Sequence, residues 1–101
     1  MRKIKLTEIQ KDVAEWAIDP MQDFAKEPEE SGYGEKDVPY VEGVYLVFPT
    51  DSRDIVADFL YRIGEQLPDI IDSATDEELP KARGQIRAAQ NLVQKIERGE
   101  G

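Results

Sequence analysis

A chain of 101 residues has the size of one domain and is long enough to bury a modest core without disulfides or metal. Its formal charge of −9, from 22 acids against 13 bases, repels nucleic acid and anionic membrane and attracts basic surfaces. It has no cysteine and no histidine, which excludes thiolate chemistry, the commonest general base and most zinc ligand sets.

The opening "MRKIKLTEIQKD" carries bases without the apolar run that a secretory signal places behind them. No stretch approaches membrane-spanning length, so no membrane partner and a cytoplasmic location are expected. The stretch "LTEIQKDVAEWAID" then sets Ile9, Val13, Trp16 and Ala17 on one helical face, with Thr7 and Gln10 in capping-box register. This spacing predicts a first helix that Asp19-Pro20 stops, followed by a short turn with Met21 and Phe24 pointing inward. Trp16 is expected to pack in the core, without a ligand-binding role.

"KEPEESGYGEKD", residues 26–37, gathers Pro, Gly and charge without apolar periodicity and reads as a surface loop. After it, "VPYVEGVYLVF" is rich in β-branched and aromatic residues and reads as strand. It is expected either to fold at Glu42-Gly43 into a hairpin pairing Tyr40 with Tyr45, or to form one strand pairing with residues 2–6. Either way the β element has two strands.

Pro49 ends the strand, and Thr50, Asp51 and Ser52 offer three N-caps in a row. Ile55, Val56, Phe59, Leu60, Ile63, Leu67 and Ile70 follow at helical spacing, and Pro68 is expected to bend this central helix rather than end it. Thr75 and Glu78, again spaced as a capping box, turn the chain into a last helix from about Pro80. Its inward positions are read as Leu79, Ala82, Ile86, Ala89, Val93 and Ile96, a heptad seam suited to an antiparallel hairpin with the central helix. The fold class expected is therefore α+β and mainly helical, with one N-terminal helix, a helix hairpin and a small two-stranded β element, as a single domain over residues 1–101.

Charge is unevenly spread: residues 19–42 carry −6 and 50–79 carry −7, while the two ends are mildly basic. On the central helix, Asp51, Asp54, Asp58, Glu65, Asp69 and Asp72 fall within an arc of roughly 60°, opposite the apolar stripe. Residues seven apart rise about 10.5 Å, close to three base-pair steps along a DNA strand. A solvated face explains such a row as well as a phosphate mimic does, and Arg62 can pair with Asp58 and Glu65 within it. Tyr61 falls on the acidic side, where it either faces a partner or lies under the 26–37 loop.

Enzymatic machinery is missing. The serines have no histidine to activate them, and the Gly-x-Gly of "SGYGEKD" lacks the remainder of a phosphate cradle. The cluster Asp69, Asp72, Asp76, Glu77 and Glu78 lacks the spacing of an EF-hand loop. No enzyme, metal or cofactor is expected.

Two functions remain. The favoured one is a small acidic inhibitor or binding module that occupies a basic, nucleic-acid-contacting surface of a partner protein, through Asp54, Asp58, Tyr61, Glu65, Asp69 and Asp72. In size and charge, though in no motif, such a chain resembles nuclease-immunity proteins and phage-encoded inhibitors of host defence, anti-CRISPR proteins included. The alternative is a helical assembly or adaptor element that pairs into a homodimer through its heptad seam, the acids being merely solvated.

Overall fold

The computed structural model describes residues 2–50 and 52–99. Asp51, assigned above to the acidic row and to the possible caps, lies outside them. Among the described residues the fold is mixed α+β and mainly helical: β1 (Arg2–Lys5), α1 (Glu8–Phe24), α2 (Pro28–Ser31), β2 (Tyr40–Glu42), β3 (Tyr45–Phe48), α3 (Arg53–Asp72) and α4 (Leu79–Arg98).

The β element has three strands rather than two. β3 lies in the middle, antiparallel to β1 on one side and to β2 on the other, so the two arrangements weighed from sequence coexist. The hairpin turns at Gly43, whose φ of 63° suits glycine, and the register sets Glu42 against Tyr45 and Tyr40 against Val47. Tyr40 therefore pairs two residues further along than expected, as a two-residue turn at Gly43-Val44 requires. Ile4, Leu46 and Phe48 point to the core, which supplies the cover that a small sheet needs. Lys3, Lys5, Tyr40, Glu42 and Tyr45 are exposed.

α1 opens on the expected capping box: Gln10 N donates to Thr7 Oγ1 at 3.2 Å and Thr7 N donates to Gln10 Oε1 at 3.0 Å. It then runs straight through Pro20, so Asp19-Pro20 does not stop it. A proline in mid-helix forfeits one backbone bond. Here Ala17, Ile18, Met21 and Ala25 are buried on either side of it, and their packing offsets that loss. Met21 faces inward as expected, whereas Phe24 and Ile9 stay outside the core and partly exposed, and Gln10 takes the buried place expected of Ile9. Trp16 is half-buried and packs against the rim of the core.

α3 begins after Ser52, which supplies no side-chain cap, and runs unbroken through Pro68. Ile55, Phe59 and Ile63 are fully buried, while Val56, Leu60 and Leu67 pack partly buried around them. Thr75 and Glu78 close the bend, with Thr75 Oγ1 donating to Glu78 Oε1 at 2.9 Å, but not as the expected capping box: α4 starts at Leu79 without a side-chain cap. α4 follows and packs on both α1 and α3.

The buried residues of α4 are Ala82, Ala88, Ala89, Leu92 and Ile96. At 100° per residue their centre is turned by roughly 60° from the seam read in the sequence, which leaves Ile86 and Val93 half-exposed at its edge. Buried Gln10 explains the rotation. Its Nε2 donates to Ala88 O at 3.5 Å, and its Oε1 accepts from Lys95 Nζ at 3.0 Å, so the Ala88 to Lys95 side of α4 must face α1. Lys95 Nζ also donates to Lys5 O at 3.1 Å, and the Arg2 guanidinium donates to the Ile96 carbonyl. The end of α4 is thus tied to β1.

Burying an unpaired carboxylate costs several kcal/mol. Ile63→Asp or Leu92→Asp should therefore lose the cooperative thermal transition in circular dichroism. Ile86→Asp, at the half-exposed edge, should cost no more than about 1–2 kcal/mol, the range of an ordinary point substitution.

Candidate protein-interaction face

The apolar stripe of α3 fixes its opposite face outward. Asp54, Glu65, Asp69 and Asp72 are exposed along that face, and Tyr61 among them is 64% exposed. The alternative placing of Tyr61 under the 26–37 loop is therefore wrong. Hydrogen bonding to the Glu65 carboxylate, with its charge, holds the Tyr61 hydroxyl above its ordinary pKa, so the phenol stays neutral beside the acids.

Asp58 does not belong to the free row. Its side chain is only 22% exposed; its Oδ2 accepts from Tyr33 Oη at 2.6 Å, and both oxygens accept from Arg62 Nε at 3.1 Å. The guanidinium of Arg62 also lies 5.4 Å from the centre of the Phe24 ring, and Phe24 meets Tyr33 edge to face at 6.1 Å. Arg62 pairs with Asp58 at i,i+4; its expected pairing with Glu65 is not formed. Asp58 is thus a fixing point for the loop rather than a contact acid.

The loop is more ordered than its composition suggests. It holds the short α2 and a 3-10 turn over Glu35–Asp37, and Gly32 at φ 80° lets the chain reverse so that Tyr33 turns inward. Ser31 Oγ, which donates to Tyr33 O at 2.7 Å and accepts from Tyr33 N at 3.2 Å, holds that reversal. Tyr33 is 7% exposed. Sequence reasoning missed it; the one available signal was a lone aromatic in a stretch otherwise made of Pro, Gly and charge.

With Asp58 engaged by Tyr33 and Arg62, the heptad ladder of acids is interrupted among the described residues. From Asp54 to Glu65 the helix rises about 16.5 Å, and Asp69 and Asp72 follow at about 6 and 4.5 Å. The free carboxylates therefore crowd toward the C-terminal half of α3, with Asp76, Glu77 and Glu78 exposed in the bend beyond. Among the described residues no group of three or more acids is arranged to hold a metal ion. No family model matches the chain, and no curated protein or solved structure matches it either. Its surface is therefore the source of any functional argument.

Burial and the Asp58 carboxylate push the Tyr33 hydroxyl from 10.0 up to about 12. A raised pKa in the folded state means that the stabilisation from this bond is complete below pH 10.0 and is lost as pH climbs through about 12. Tyr33→Phe should cost about 1.5 kcal/mol at neutral pH, the low end for a bond to a charged acceptor. The stability difference between parent and variant, followed by denaturant titration, should shrink over that alkaline window. An undiminished difference would show that Tyr33 acts through packing alone.

Proposed function

We infer that this chain is a small acidic binding module that covers a basic surface of a partner protein, one that ordinarily contacts nucleic acid. The single observation behind this reading is the exposed set Asp54, Tyr61, Glu65, Asp69 and Asp72 on one face of a helix whose other face is locked in the core. Carboxylates fixed on a rigid helix present a ready-made negative array, so a partner's Arg and Lys gain charge-assisted bonds without first ordering a flexible chain. Tyr61 adds an amphipathic ring at the centre of the row, the kind of residue that dominates interface energetics. Asp58 serves by holding the loop and Arg62 clear of that row.

Inhibition, as by immunity-type or anti-defence proteins, is the function such occlusion would serve. A cytoplasmic setting fits it, and among the described residues no helix is long and apolar enough to cross a membrane. Neither catalysis nor a cofactor is part of the reading. The homodimer alternative depends on a free seam, yet Ala82, Ala89 and Ile96 are buried within the single chain, which favours the acidic face over the seam.

Charges at an interface rim act mainly on association, and buried contacts on dissociation. Asp54→Lys with Glu65→Lys should slow association with the partner at low salt by at least about tenfold and remove competition with nucleic acid. Tyr61→Ala should speed dissociation by about tenfold, within the range of an aromatic hot spot. Surface plasmon resonance on partner captured from the source cells, with and without competing duplex, measures both rates. If the double charge reversal binds and competes as the parent does, the row is only a solvated face.

A further inference from the structure

Where α1 crosses the α3–α4 bend, a hollow of about 190 Å³ opens beside Trp16. Ile70 and Ser73 of the α3 end form one wall, and Glu78, Lys81 and Gln85 form the other. A second hollow shares Trp16, Ile70 and Ser73 and reaches Asp69, a member of the exposed acidic row. The half-buried indole therefore lines both hollows, the first with Glu78 and the second with Asp69, and the second meets the acidic face at Asp69.

Size and charge decide what it takes. A volume of 190 Å³ is the space of roughly six water molecules at about 30 Å³ each. Sites for drug-sized ligands run from about 300 Å³ upward, so this one suits a single long side chain. The lining of the first hollow carries one charge of each sign, Glu78 and Lys81, and the adjoining hollow adds the carboxylate of Asp69, so the two together are net acidic. Asp72, Asp76 and Glu77 lie exposed in the same stretch. An aromatic face flanked by carboxylates selects a planar cation, because a guanidinium stacks on the ring while its edge donates to the acids. The chain makes this arrangement for itself elsewhere: Arg62 stands over Phe24 while donating to Asp58.

We propose that the Trp16 hollow receives an arginine side chain of the basic partner, seated between the indole and the carboxylates of Asp69 and Glu78. This rests on the proposed function, and it gives Trp16 the binding role that the sequence did not. The acidic row draws the partner in, and the hollow makes arginine preferred over lysine at one position.

Trp16 is the sole tryptophan, so its emission reports on the hollow directly. The intact chain is titrated at low salt with an oligo-arginine peptide and with oligo-lysine and oligo-citrulline counterparts, total binding being followed by calorimetry and the hollow by Trp16 emission. The expected result is a saturating emission change that tracks the arginine heats, with lysine weaker by at least about fivefold and citrulline silent. Asp69→Asn with Glu78→Gln should weaken arginine by a similar factor, and Lys81→Gln should tighten it. All three residues are exposed, and Glu78→Gln still offers a side-chain oxygen to Thr75, so these variants are expected to keep the fold even where Trp16→Leu does not. Binding heats with unchanged Trp16 emission would overturn the hollow and leave the acidic face standing. No heats at all would overturn both.

Discussion

The contact of Phe48 with Phe59, edge to face with ring centres 5.5 Å apart, sets the phase of α3 against the sheet. Phe48 closes the central strand and Phe59 lies mid-stripe on α3, and both are fully buried. Because α3 is seated on the sheet by this ring, with Ile55 and Ile63 one turn to either side, its opposite face has no choice but to meet water. The acidic row is thus a consequence of core packing as much as of its own charge. Turning α3 to bury those carboxylates would cost several kcal/mol for each, so the face is rigidly presented.

α1 and α4 complete the frame by different means. Ala14 and Ala17 are fully buried on α1, and Ala88 and Ala89 on α4, so small residues line the buried faces of both helices and leave room for close approach. Across it, the side chain of Gln10 makes polar bonds that an all-apolar interface would lack, and these fix the rotation of α4. Arg2 and Lys95 then tie β1 to the last turn of α4, Arg2 by donating to the Ile96 carbonyl and Lys95 by donating to the Lys5 carbonyl, and cations are favourable beside that helix end.

Much of this was legible in the sequence. Capping residues marked one helix start outright, Thr7 with Gln10 at α1, whereas α3 and α4 begin without a side-chain cap. The periodicity of α3 was plain because its apolar and acidic residues separate cleanly onto two faces. Three features were not legible, each because a tertiary contact overrode a local signal. Packing around Pro20 carried α1 past a residue that usually ends a helix. A buried glutamine, which looks like a surface residue in isolation, rotated α4 away from the bulkier Ile86 and Val93. In the candidate site, Tyr61 and four of the acids lie where their spacing put them. Asp58 was drawn out of the row by Tyr33, a partner 25 residues distant that no helical periodicity could reveal.

The central claim is that the outer face of α3 meets a basic surface. It is tested most directly by mapping amide chemical-shift changes over the whole chain as a basic probe protein is added. The account predicts changes concentrated at Asp54, Tyr61, Glu65, Asp69 and Asp72, fading as salt shortens the reach of their field. Changes confined instead to the exposed hairpin residues Tyr40, Val44 and Tyr45, and indifferent to salt, would contradict it.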